Sequence, residues 1–114
     1  MISIIICSRN NLVNSLLLDN IGSTIGLDYE IIQIDNSETK YSICEAYNLG
    51  IKKSLGDLLC FIHDDILFHT NNWGQILVDL NLDDPEMGIV GVAGSKIKTR
   101  APGGWWNCPE EYSL

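Results

Sequence analysis

The run Ile2-Ser-Ile-Ile-Ile-Cys7 limits what this chain can fold into more than any other stretch. It is β-branched and almost wholly apolar, so no alternate position is left for water. A strand of that kind needs cover on both faces. It predicts a central strand of a mostly parallel sheet, with helices packed above and below. Leu58-Leu-Cys-Phe-Ile62 repeats the pattern after Gly56-Asp57 and stops abruptly on His63, Asp64 and Asp65. An apolar run that ends in clustered charge reads as a buried parallel strand delivering polar groups to the edge of the sheet.

The segments between these runs have helical period. Leu12, Val13, Leu16, Leu17 and Ile21 recur at helix spacing, with Asn10 or Asn11 as the expected N-cap and Gly22 and Gly26 as the stop. Glu30-Ile-Ile-Gln-Ile-Asp35 is a second strand, followed by the polar turn Asn36-Ser-Glu-Thr39. Tyr41 to Leu55 is a second helix, expected to bury Ile43, Ala46, Tyr47, Leu49 and Ile51 and to stop at Gly56. Asn48 and Gly50 are read as positions where this helix packs on the sheet. Asn71 or Asn72 opens a third helix through Trp73, Ile76, Leu77 and Leu80, which Asp83-Asp-Pro85 ends. Met87 to Ala93 is expected as a fourth strand. The order βαβαβαβ means an α/β fold: three layers, α/β/α, around a mostly parallel Rossmann-like sheet with right-handed crossovers. Ligands bind such sheets outside the carboxyl ends of the strands, where strand order reverses. The clusters Ser8 to Asn10, Asp35 to Ser37 and His63 to Asp65 should therefore meet along one rim. With no repeat or linker, one domain over residues 1–114 is expected, its core in 1–94 and a tail in 95–114.

A chain of 114 residues can bury a real core without disulfides or a structural metal. Its net charge of -8 argues against binding a nucleic-acid backbone, so a phosphorylated ligand calls for a cation as mediator. Met1 to Cys7 lacks the basic leader and the length of a signal peptide, and no apolar run reaches a membrane span. Cys7, Cys44, Cys60 and Cys108 show no metal-type spacing. Reduced thiols in a cytoplasmic chain, working in solution or at the inner face of the membrane, are the expectation.

Four stretches, in this order, resemble the nucleotide-sugar-binding half of a family 2 glycosyltransferase with the GT-A fold. They are Ser3-Ile-Ile-Ile-Cys-Ser-Arg-Asn10, Ile32-Gln-Ile-Asp-Asn-Ser37, Ala46-Tyr-Asn-Leu-Gly-Ile51 ahead of Gly56-Asp57, and Phe61-Ile-His-Asp-Asp65. The resemblance implies a metal-dependent, inverting transferase that uses a nucleoside-diphosphate sugar, UDP-linked by the family's commonest choice. Ser8 and Arg9 fall where the family's first loop lies against the base. Asp35 falls on the acidic residue that binds uracil or ribose, with Asn36 beside it. His63 and Asp65 fall on the two ends of the family's Asp-x-Asp motif, whose last Asp holds the divalent ion. The sequence departs from the family twice, with Cys7 for the usual Pro and His63 for the usual first Asp. The family continues into an acceptor-binding segment that supplies a general base. Here at most a stub of it is expected, in which Glu110 and Glu111 are the carboxylates and neither is marked as a base.

The residues themselves agree with this reading. A carboxylate is a hard ligand suited to Mg²⁺ or Mn²⁺, and those ions take one or two protein carboxylates with phosphate oxygens and water. An imidazole at position 63 favours Mn²⁺ over Mg²⁺ if it ligates, and equally suits a hydrogen bond to a ribose hydroxyl, which makes His63 a nucleotide-contact candidate, or the orienting of Asp65 from behind. Strand alternation sends His63 and Asp65 to one side and Asp64 to the other, so Asp64→Ala is expected to change metal-dependent binding little. Asp64 stays among the nucleotide-contact candidates as the middle residue of the motif. His69 is expected at the surface. Lys96, Lys98 and Arg100 suit a diphosphate, an acceptor or a solvated face equally. Trp105-Trp106 suits a sugar ring, such as an acceptor saccharide or lipid-linked glycan, and equally suits hydrophobic cover or a contact between copies of the chain. Two other readings stand beside the transferase: a nucleotide-sugar-binding module without catalysis, and a different doubly wound phosphate-transfer domain. The second would place its key Asp after the first strand, where this chain has Cys7-Ser8-Arg9.

Overall fold

A computed structural model describes residues 1–10, 12–84 and 86–91. The chain divides into two units, Met1–Asp84 and Pro85–Leu114, and all regular structure among the described residues lies in the first. Its elements are β1 (Ile2–Ser8), α1 (Ser15–Thr24), β2 (Tyr29–Asp35), α2 (Ile43–Lys53), β3 (Leu58–Ile62) and α3 (Trp73–Asp83). The three strands are parallel, in the order β2-β1-β3. The all-isoleucine strand is central, as its composition requires. The chain leaves β1 to one side through α1 and crosses back over it through α2, so strand order reverses between β1 and β3.

Side-chain alternation sorts the core into two sheets of contact. Ile2, Ile4 and Ile6 of β1 and Ile62 of β3 pack with Leu17, Ile21 and Ile25 of the α1 region and Trp73 of α3. Ile5, Ile32 and Ile34 pack on the other face with Ala46 of α2. The result is the expected α/β fold in three layers, with α1 and α3 on one face and α2 on the other. Burial of a side chain of this size stabilises by about 1.5–3 kcal/mol, and Ile4, Ile5 and Ile6 are all 0% exposed. Gly50 faces Ile5 so closely that a Cβ there would lie 2.3 Å from Ile5 Cγ2, which explains a glycine in mid-helix. Asn48, two residues earlier and so on the opposite side of the helix, is exposed and takes no part in that packing.

The end of the sheet opposite the polar clusters is tied by Ser3, which is buried. Its hydroxyl donates to Glu30 Oε1 and accepts from the Gly56 N–H (2.8 Å), while the Leu55 N–H donates to the same Glu30 oxygen (2.6 Å). One carboxylate thus joins β1, β2 and the α2–β3 connection. These hydrogen bonds hold the Glu30 carboxyl below the usual glutamate range, the Ser3 hydroxyl contributing most.

Element boundaries differ from expectation where caps decide them. The N-cap of α1 is Asn14, whose side chain accepts from the Leu16 N–H (3.0 Å), and Asn10 lies before it in the loop. Leu12 and Val13 precede the helix, and Gly22 lies inside it. The stop comes at Gly26, with φ at +78°. Helix α2 opens on a capping box, Ser42 with Glu45, and ends at Ser54, so it is shorter than Tyr41 to Leu55. Ile43 and Ile51 are 47% and 40% exposed, because α2 covers β1 and β2 with Ala46 and Gly50 instead. Asn72 does cap α3, in the left-handed region and without a side-chain bond. The fourth strand is not formed over residues 87–91. Gly88 and Gly91 leave two of those five positions with no side chain to pack. Positions 92 and 93, Lys96, Lys98, Arg100, Trp105, Trp106, Cys108, Glu110 and Glu111 lie outside the described residues, as does Asn11.

Candidate functional site

The carboxyl ends of the strands form a row. In the β1–β2 register Ser8 is opposite Asp35, and the Asn36 N–H continues the ladder to the Ser8 carbonyl (2.8 Å). The β1–β3 register pairs Ile6 with Ile62, so two further steps set Ser8 opposite Asp64. Ser8 is 1% exposed. Its hydroxyl donates to Asp64 Oδ2 (2.5 Å) and accepts from the Asn10 N–H (3.0 Å). A hydroxyl-to-carboxylate bond is normally short, because the acceptor is charged. Asp35, Ser8 and Asp64 therefore stand in line across the sheet edge, over the place where strand order reverses.

The β2 end is a built turn. Asp35 is exposed, and its Oδ1 accepts the Ser37 N–H (2.9 Å). That bond, helped by the Ser37 hydroxyl and by the charge of Lys40, holds the Asp35 carboxyl below the usual aspartate range. Asn36 is buried, and its amide is spent on one residue: Nδ2 donates to the Tyr41 carbonyl (2.8 Å) and Oδ1 accepts the Tyr41 N–H (3.0 Å). Asn36 thus shapes the loop, and Asp35 is the member of the pair whose charge faces outward. Residues Asp35 to Glu38, with Lys40 and Tyr41, line a polar hollow of about 200 Å³. The capping box of α2 begins at the next residue and anchors its far wall.

The β3 end holds the acidic turn. His63 and Asp65 are exposed and Asp64 is half-buried. Neither His63 nor Asp65 has a hydrogen-bond or ion-pair partner among the described residues, and the same holds for the exposed Arg9. His63 to Asp65 lie past the end of β3, with Asp64 and Asp65 in a turn, and Asp64 meets Ser8 in the row of strand ends, which corrects the expectation that it turns away from the site. The reason is register: Cys60 and Ile62 share the α1 and α3 face with Ile6, and Ser8 and Asp64 follow in phase. Sequence reading also missed the residues behind the loops. Asn20 of α1 grips the Phe68 backbone twice, Nδ2 to the carbonyl (2.9 Å) and Oδ1 from the N–H (2.7 Å). Gln33 of β2 reaches the loop after β1 at Val13 and Asn10 (both 3.4 Å). Gln33 was legible as the polar residue set between Ile32 and Ile34 in β2, whereas no sequence signal marks Asn20. His69 is at the surface as expected.

A glycosyltransferase-like family matches residues 3–113, nearly the whole chain. The chain belongs to that family. No curated protein and no solved structure matches it. In this glycosyltransferase-like domain the row of strand ends occupies the position where ligands bind open α/β sheets. The divalent ion that the sequence resemblance implies can be tested against the side chains. Among the described residues, no group of three His, Cys, Asp or Glu converges to hold a metal by itself. The donors at hand are the Asp65 carboxylate and the His63 imidazole, both facing solvent. That set fits an ion that arrives with phosphate oxygens and water in its shell, as Mg²⁺ and Mn²⁺ do. Cys7, Cys44 and Cys60 are free thiols, and burial pushes the Cys60 thiol up to about 11, which makes it inert. No helix among the described residues is long and apolar enough to cross a membrane.

Proposed function

We propose that this glycosyltransferase-like domain binds a nucleoside-diphosphate sugar, UDP-linked, and passes its sugar to an acceptor by metal-dependent, inverting displacement. The observation that carries the reading is the row Asp35, Ser8, Asp64 at the switch point of a parallel sheet, in a chain of this family. The hollow at Asp35 to Tyr41 takes the base and ribose, where an ionised Asp35 accepts from sugar or base N–H and O–H donors. Arg9 and the loop after β1 flank that end. Asp65 and His63 face the diphosphate. A divalent ion held there, Mn²⁺ or Mg²⁺, supplies charge neutralisation on the leaving diphosphate. The protein's own share is orientation: the loops around Ser8 and Phe68 are braced, so the donors meet the ligand already placed.

Titration calorimetry with UDP, with Mn²⁺ and again after chelation, tests the binding half of this reading. Mn²⁺-dependent binding is expected, and its absence overturns the proposal. Release of free sugar from a panel of UDP-sugars tests the transfer half. Binding without any turnover would favour a nucleotide-sugar-binding module that lacks catalysis.

A further inference from the structure

We propose that Ser8 and Asp64 form a clasp that fixes the β1 loop against the β3 turn, which makes Asp64 a positioning residue. The inference deepens the function proposed above, since the two loops it joins are those assigned to base and diphosphate. Three observations carry it. The Ser8 hydroxyl is shared by both loops, giving its proton to Asp64 and taking the Asn10 N–H. Ser8 does so while itself buried, so water does not compete for its hydroxyl. The turn is held again four residues on, where Asn20 grips the Phe68 backbone. The segment from Asp64 to Phe68 is therefore pinned at both ends, with the exposed Asp65 within it and the exposed His63 immediately before it.

A carboxylate committed in this way acts at a distance. Loss of Asp64 leaves the Ser8 hydroxyl free to rotate, and with it the loop whose Asn10 N–H depends on that oxygen. The effect crosses from β3 to a residue that Asp64 does not touch. A direct metal ligand would behave differently: its loss would remove ion binding and leave the β1 loop as it was.

Amide hydrogen exchange on the whole chain, without any nucleotide, separates these cases. In Asp64→Ala the Asn10 amide should exchange roughly tenfold faster or more, as the loss of a bond to a charged group allows. Its acceptor atom is still present there, and the β1 amides of Ile4 and Ile6 should keep wild-type protection. Ser8→Ala removes the acceptor itself, so the Asn10 amide should exchange at least as fast there as in Asp64→Ala, and the double variant should be no worse than Ser8→Ala alone. Asp64→Asn, which keeps an acceptor oxygen, should stay within about threefold of wild type. An unchanged Asn10 amide in Asp64→Ala overturns the clasp. The ligand arm uses UDP with Mn²⁺. Asp64→Ala should bind about tenfold more weakly and Asp64→Asn should recover most of that loss. An Asn variant as weak as the Ala variant would show that the carboxylate meets the ion directly and would overturn the positioning role. If wild type fails to bind UDP, the proposed function falls, while the exchange experiment still decides the clasp.

Discussion

Asp65 is exposed and its neighbour Asp64 half-buried, and their substitutions should differ in kind. Asp65→Ala removes an exposed hard ligand and nothing that holds the turn, so Mn²⁺-dependent UDP binding should vanish in calorimetry while the unfolding midpoint stays within about 0.5 kcal/mol of wild type. His63→Ala should retain UDP binding but narrow the preference for Mn²⁺ over Mg²⁺, since the imidazole is the softer donor. Comparing affinities in the two metals checks this, and an unchanged ratio would remove His63 from the ion's shell. How much of the site was legible follows the same division. Residue type and strand-end position mark Ser8, Asp35 and the His63 to Asp65 turn from sequence alone. Which of them meets Ser8 depends on the register between strands 56 residues apart, and a single sequence carries no measure of that.

At the scale of elements, the Glu30 tie and the α2–β1 contact each make a prediction. The Glu30 carboxyl titrates lower in the folded chain than in the unfolded one, so the folded state favours its ionised form. Its stabilising effect is complete above the ordinary glutamate value and is lost as pH falls through the depressed one. Urea titrations across the acid range should show that loss in wild type and a flatter profile in Glu30→Gln, which keeps an acceptor oxygen but no charge. Gly50→Ala sets two effects against each other. Alanine favours a helix by about 1 kcal/mol, whereas forcing a methyl into the Ile5 contact costs about 1–3 kcal/mol. With the new Cβ only 2.3 Å from Ile5 Cγ2, packing wins, and the urea midpoint should fall by an amount equivalent to about 1 kcal/mol. Elements were readable where apolar period was strong. Their ends were set by local side-chain bonds that compete on short range, so Asn14 displaced Asn10 as a cap, and Ser42 with Glu45 started α2 two residues late. The capping box was present in the sequence as Ser-x-x-Glu and went unread.

For the whole molecule, a net charge of -8 sets the sign of its response to salt. An anionic chain and an anionic nucleotide repel at long range, and salt screens that repulsion. Without divalent ions, residual UDP affinity should rise as KCl increases from roughly 20 to 200 mM, the reverse of what a nucleic-acid binder shows. A fall would place a basic surface at the site. The fold class was legible because three apolar runs separated by helical period admit few architectures. The fourth strand was not, since a run with two glycines in five residues has weak local preference and depends on neighbours that composition cannot supply. The central place of β1 also shapes how the chain comes into being. During synthesis this isoleucine-rich strand emerges before both of its partners: its pairing with β2 awaits residues 27 positions later and its pairing with β3 awaits residues 56 later. Until Ile62 is made, one side of the most apolar strand has no neighbour. The nascent chain is then at its greatest risk of sticking to another copy of itself, and factors that shield an unpaired β segment during synthesis should raise its yield.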